Sequence, residues 1–166
     1  MKNEPDFLVG PFTIVVDDRE RAPFRFDDIT ADASRGGLPL IIRREPKRLE
    51  TGDYSILGLE HAIAVERKSL DDLFGTLGGG RDRFIRELDR MSKMQSAHVV
   101  IEADWRRIFE RPPFSSKLKP KTISRSIIAW TQQFDNVHWW PMPNRRAAEV
   151  VTFRILDRFW NKTAER

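Results

Sequence analysis

The 166-residue chain contains no cysteine. Disulfides and thiolate metal sites are thereby excluded, and a reducing cytoplasm suits such a chain. No run of about 18 apolar residues occurs, so no membrane span is expected. The opening MKNEPDFLVG lacks the long apolar stretch of a signal peptide. No internal repeat and no linker marks a second domain. One domain is expected, over residues 12–162, behind an N-terminal segment of residues 1–11.

What is present is charge. Hydrophobic residues make up 40% of the chain and charged residues 33%, a globular composition with a heavily charged surface. The net charge of +4 and a sequence pI near 9.7 favour an anionic partner, nucleic acid first.

Phe12 to Asp17 is a β-branched run ending in acids and predicts a buried strand. A short helix is expected around Asp27 to Ser34, and a second strand over Leu38 to Arg43. Leu49 to Leu57 and His61 to Lys68 predict a hairpin closed by Gly58-Leu59-Glu60. In its second arm Glu66 and Lys68 share a face, while Arg67 points to the other. Ser69 opens a helix with Asp72 in a capping-box position, and Gly78-Gly79-Gly80 ends it. Arg81 to Met94 predicts a helix, Ala97 to Glu102 a strand, and Asp104 to Phe109 a short capped helix. Arg111 to Lys121 is a proline-rich basic loop. A helix over Lys121 to Phe134, a strand over Val137 to Trp140 and a helix from Asn144 to about Trp160 complete an α/β fold with a mixed central sheet.

The stretch Gly52 to Asp72 carries the chemistry. Phosphodiester hydrolysis needs an activated water and stabilisation of charge at phosphorus, and a divalent cation supplies both. Mg²⁺ is held by one or two carboxylates and keeps several waters. Asp53 on one hairpin arm, Glu66 on the other and Asp17 from an adjacent strand are candidate metal-proximal acids, with Lys68 beside the attacking water. Ordinary roles are available to each. Asp53 can shape a turn, Glu66 and Lys68 can form a surface ion pair, Asp17 can be solvated, and Asp72 can cap its helix.

Val16-Asp17-Asp18-Arg19-Glu20, Gly52-Asp53-Tyr54, Val65-Glu66-Arg67-Lys68-Ser69, Asp72-Leu73 and Gly80-Arg81 together resemble the nuclease domain of the XPF-type structure-specific endonucleases, whose hallmark is GD…ERKxxxD. The resemblance covers roughly residues 12–160. It implies a restriction-endonuclease-like fold of the PD-(D/E)xK kind, Mg²⁺ or Mn²⁺ dependence, and cleavage of branched, flapped or fork-like DNA in repair or recombination. It implies that Asp17, Asp53 and Glu66 are metal-proximal, that Lys68 is the catalytic lysine, and that Arg19, Glu20, Arg67 and Asp72 support catalysis. Arg81 would contact DNA.

It also implies a homodimer or heterodimer through the C-terminal helices, with Ile127, Trp130, Phe134, Phe153, Leu156 and Trp160 as interface or core. The helix-hairpin-helix module of many relatives is absent from this sequence. Junction recognition is then expected from a partner or from the basic loop of Arg106, Arg107, Arg111, Lys117, Lys119 and Lys121, through phosphate contacts. A lone domain of this kind suggests a bacterial or phage protein acting in the cytoplasm. The rival readings are a catalytically silent DNA-binding or scaffold subunit, a four-way-junction resolvase and a restriction-type nuclease.

Overall fold

The computed structural model describes residues 6–165. Of the expected N-terminal segment, residues 1–5 lie outside the described residues. Its last residues belong to the first strand, which begins at Leu8 rather than Phe12.

Six strands form one sheet in the order β2-β1-β3-β4-β5-β6. They are β1 (Leu8–Asp17), β2 (Leu40–Lys47), β3 (Tyr54–Ile56), β4 (Ile63–Lys68), β5 (Ser96–Ile101) and β6 (Val137–Pro141). Every adjacent pair is parallel except the two made by β3, which runs against β1 and β4. The consequence is topological. The C-terminal ends of β1 and β4 and the N-terminal end of β3 lie at one end of the sheet. Side chains at the ends of these strands therefore meet there, although far apart in sequence.

Alternation along the strands builds two cores. On one face Ile14, Ile63, Val65 and Val100 pack under Ala148, Phe153 and Leu156 of α5 (Arg145–Ala164). On the other, Val99 and Ile101 pack under α1 (Leu70–Leu77), α2 (Arg81–Met91), α3 (Trp105–Glu110) and α4 (Pro120–Gln133). Side-chain caps define the helix starts: Ser69, Asp104 and Asn144 each accept a main-chain N–H. Pro120 opens α4, where its missing N–H costs nothing.

Two expectations are corrected. The helix around Asp27 to Ser34 is reduced to a 3₁₀ turn, Ala33–Arg35, because Phe26 and Asp28 adopt positive φ (57° and 55°), which breaks a helix. Its apolar residues Phe26, Ile29 and Ala31 instead line the α5-side core. The proposed interface residues Ile127, Trp130, Phe134, Phe153 and Leu156 are buried within the single chain, and Trp160 packs 5.7 Å from Phe12 between ring centroids. They are core residues, because they carry the inward stripes of α4 and α5.

Candidate active site

At the confluent strand ends lies a polar cavity of about 590 Å³, bordered by Asp17, Asp53, Glu66, Lys68, Asp72 and Glu87, among others. Main-chain pairing builds its floor. The N–H of Asp53 donates to Val65 O at 2.9 Å, and that of Asp17 donates to Asp53 O at 2.8 Å. Gly52 precedes Asp53 at φ 76°, and a Cβ there would lie 3.0 Å from Ala64 Cβ and 3.2 Å from Val65 O. Only glycine brings the chain this close to β4 in that conformation.

Facing parity holds at the end of β4. Glu66 and Lys68 point to the α1–α2 side, and Lys68 Nζ donates to Glu66 Oε1 at 2.5 Å. Both are nearly buried, and the ammonium also lies 4.6 Å from the centroid of the Phe84 ring. Burial opposes the charge of Lys68, but the Glu66 carboxylate outweighs it and raises the pKa of the lysine. This favours the charged form of Lys68. Glu66 is pushed well above the usual carboxylate range, first by burial and then by the charge of Asp53. Asp53 rises to about 7, first by burial, with the charge of Glu20 adding to it and the Arg67 N–H opposing.

Arg67 points to the other face, and the structure gives it a different role from Lys68. Its guanidinium bridges Glu20 (3.0 and 3.1 Å) and Glu102 (3.0 Å). Arg145, in the first turn of α5, reaches the same Glu102 carboxylate at 2.6 Å. Three of the four side chains are largely buried, which makes this a network rather than a surface pair. Arg67 serves the cavity through its main chain: its N–H donates to Asp53 Oδ2 at 2.7 Å.

Asp17 borders the cavity, but both its oxygens are engaged. Arg19 Nε and Nη2 reach them at 2.8 and 2.9 Å, and the main-chain N–H groups of Arg19 and Leu49 add 2.8 and 2.9 Å contacts. Burial alone would raise its pKa, but these donors hold it at about 2. Asp17 thus braces Arg19 and the strand end with the same carboxylate that borders the cavity beside Asp53 and Glu66. Ser69 caps the helix: its Oγ accepts the Asp72 N–H at 3.1 Å and donates to the Asp72 carboxylate at 2.7 Å, and Asp72 also borders the cavity.

Among the described residues, no three His, Asp or Glu side chains group closely enough to cage a metal ion. The donor set nonetheless fits a hard divalent cation in its sparse form. Asp53 and Glu66 are two oxygen donors pushed toward protonation by burial and like charge, a condition that a cation relieves.

Arg81 is engaged within the chain. Its guanidinium donates to Ser126 Oγ at 2.8 Å and stacks 4.8 Å from the Trp130 ring, tying α2 to α4. Arg106, Arg107, Lys117, Lys119 and Lys121 are all exposed. None of them borders the catalytic cavity, and Arg106 pairs with Glu110 on α3.

Sequence reasoning missed Arg83, Glu87 and Arg90 of α2, which line the cavity. Their spacing was the available signal. They form a charged row one residue, about 100°, from the apolar row Phe84, Leu88 and Met91. Glu102 was also missed, although it follows directly on β5, at the sheet end where ligands gather.

Residues 16–153 match the ERCC4 domain. The DNA repair endonuclease XPF of Cricetulus griseus is 32% identical over 124 residues, covering 68% of this chain and 13% of that protein. The Mus musculus protein of the same name matches at the same identity and coverage. The chain thus spans only a small part of the curated relatives that it matches. Among solved structures, XPF from Aeropyrum pernix superposes with a TM-score of 0.65 at 18% identity, over 92% of this chain and 67% of that one. The same protein in complex with DNA gives 0.63 at 20% identity, over 92% and 66%. At these identities the likeness is one of fold, and it agrees with the expected restriction-endonuclease-like α/β architecture.

Proposed function

The chain belongs to the ERCC4 domain family as an XPF-type nuclease domain, and we propose that it is a metal-dependent DNA endonuclease that hydrolyses phosphodiester bonds in branched, flapped or fork-like DNA, in repair or recombination. One observation carries the reading. Asp53, Glu66 and Lys68 converge on one open polar cavity, with Lys68 held charged by Glu66.

Asp53 and Glu66 would hold Mg²⁺ or Mn²⁺, which would supply charge stabilisation at phosphorus and activation of the attacking water. Lys68 donates hydrogen bonds to the attacking water or to a phosphate oxygen, and its charge offsets the charge developing there. The Arg67 N–H fixes the orientation of the Asp53 carboxylate. The Asp17 carboxylate holds the Arg19 guanidinium at the rim, where Arg83 and Arg90 also stand, so that phosphates flanking the cut meet cations.

Dimerisation belongs to the same proposal. With the α4 and α5 stripes committed to the core, the partly buried Val151, Ile155 and Phe159 of α5, together with the exposed Trp140 of β6, are the apolar residues that a second copy or a related subunit would cover. The test of function is incision of flap, fork, four-way-junction and linear duplex DNA by the purified chain with Mg²⁺ or Mn²⁺. Metal-dependent cutting that Asp53→Ala and Lys68→Ala abolish supports the proposal. Folded protein that cuts none of these substrates refutes it.

A further inference from the structure

We propose that Phe114 is a stacking platform for an unpaired base of the DNA strand that passes from the catalytic cavity over α1; this rests on the reading of the chain as a DNA-cleaving enzyme. The Phe114 side chain is fully exposed, whereas Phe12, Phe24, Phe74 and Phe153 are buried in the two cores. Its exposure does not come from a slack loop. The Ser116 N–H donates to Pro113 O at 3.1 Å, which sets Phe114 at the second position of a β-turn. Pro112 and Pro113 restrict the chain on one side. On the other, Leu118 packs into the helix-side core and its N–H donates to Ser116 Oγ at 3.2 Å. Arg81, bound to Ser126, holds the following helix in place.

The surroundings of the ring select the ligand class. From Arg111 to Phe134 there is no acidic residue, and Lys117, Lys119, Lys121 and Arg125 are exposed. A lone ring on cationic ground suits the face of an unpaired base beside its phosphates. Paired bases inside a duplex offer no face to it. The loop is also next to the chemistry. A second cavity, of about 450 Å³, separates the loop from α1 and is bordered by Asp71, Gly79, Pro113, Ser115 and Lys117. Asp71 faces this cavity and its neighbour Asp72 faces the catalytic one. A strand crossing the first turn of α1 leads from one to the other.

The test uses the full chain without divalent metal and a fork carrying 2-aminopurine in its unpaired arm. Stacking on Phe114 quenches the probe. Phe114→Ala should lose the quenching and weaken binding to the fork by roughly 5- to 100-fold, with duplex affinity and melting temperature unchanged. Phe114→Tyr should restore both. Equal quenching by wild type and Phe114→Ala overturns the inference, as does an equal loss on fork and duplex. A wild-type protein that binds and cuts the fork without quenching also overturns it and points to a protein partner for this ring. Failure of the underlying reading looks different: the wild-type chain then neither binds nor cuts DNA of any form.

Discussion

The ammonium of Lys68 lies 2.5 Å from the Glu66 carboxylate, with both side chains nearly buried at the floor of the cavity, and each residue favours the ionised form of the other. Lys68→Met leaves Glu66 buried without a partner, which costs about 3–5 kcal/mol when the carboxylate is charged. The folded-state pKa of Glu66 is raised, so the stability contributed by its protonated form is present at low pH and lost as pH rises. The destabilisation of Lys68→Met should therefore be large at about pH 8 and much smaller near pH 5, measured by urea unfolding in chelator. Glu66→Gln with Lys68→Met should recover most of it. Equal stability of Lys68→Met and wild type at about pH 8 would show that the pair is not coupled.

Asp53→Asn should abolish cutting while stabilising the metal-free protein. The folded pKa of Asp53 is about 7 against an ordinary value of 3.8. The metal-free wild type therefore has the stability of a protonated Asp53 below about pH 4 and loses it as pH rises through about 7. Asparagine retains the acceptor for the Arg67 N–H and carries no charge. Its melting temperature should exceed that of wild type by roughly 2–8 °C at about pH 8 and converge with it near pH 4. Divalent cation should raise the wild-type melting temperature more at about pH 8 than at pH 6, and that of Asp53→Asn less at either pH. Scanning fluorimetry with and without chelator reads both effects.

The parts of the fold legible in the sequence were those governed by local pattern. The period-2 run of β4 placed Glu66 and Lys68 on one face and Arg67 on the other, and the caps at Ser69, Asp104 and Asn144 marked the helix starts. What was not legible was what a side chain does with a distant partner. The commitment of Asp17 to Arg19 and Leu49, of Arg67 to Glu20 and Glu102, and of Arg81 to Ser126 depends on three-dimensional proximity that no spacing encodes. The α2 row Arg83, Glu87 and Arg90 was visible as a pattern, but only the sheet's topology shows that it faces the cavity. The choice between interface and core for Ile127, Trp130, Phe134, Phe153 and Leu156 was open in the sequence for a related reason. An apolar stripe specifies burial, not the chain against which it is buried.

Gly52→Ala tests the close approach that aims Asp53. A side chain at φ 76° carries roughly 1–2 kcal/mol of strain. The new Cβ also meets the backbone of Val65 at 3.2 Å, which yields only if the hairpin shifts. The variant should lose at least about 2 kcal/mol. At a temperature where it stays folded it should still cut far more slowly than wild type, because the Asp53 N–H contact to Val65 O moves with the chain. Full activity in the folded variant would show that Asp53 is positioned by other contacts.

Arg67 should behave as a positioning residue. Arg67→Ala leaves Glu20 and Glu102 without their shared cation inside a largely buried network, with an expected loss of about 3–5 kcal/mol. Arg67→Lys keeps the charge but not the fork that spans both carboxylates, so its loss should be similar in kind and smaller. Both variants keep the main-chain N–H that orients Asp53. Below their melting temperatures they should retain measurable cutting, where Asp53→Ala retains none. Urea unfolding alongside incision rates at low temperature separates the two effects. A stable but inactive Arg67→Lys would instead place the guanidinium at the reacting phosphate.

Salt dependence distinguishes the cations that meet phosphate from those that hold the fold. Each phosphate neutralised by a lysine adds about 0.9 to the slope of log affinity against log salt on duplex DNA, and about 0.7 on single strands. Lys117, Lys119 and Lys121 are exposed beside a loop without acids. Replacing any one of them by Ala should lower the slope by close to one such increment and leave the melting temperature unchanged. Arg81→Ala should do the reverse. It removes the 2.8 Å bond to Ser126 and the stack on Trp130, so the melting temperature falls while the slope measured on the remaining folded protein stays put. Anisotropy titrations from about 50 to 200 mM salt decide the matter, and a slope that drops for Arg81→Ala but not for the lysines would reverse the assignment.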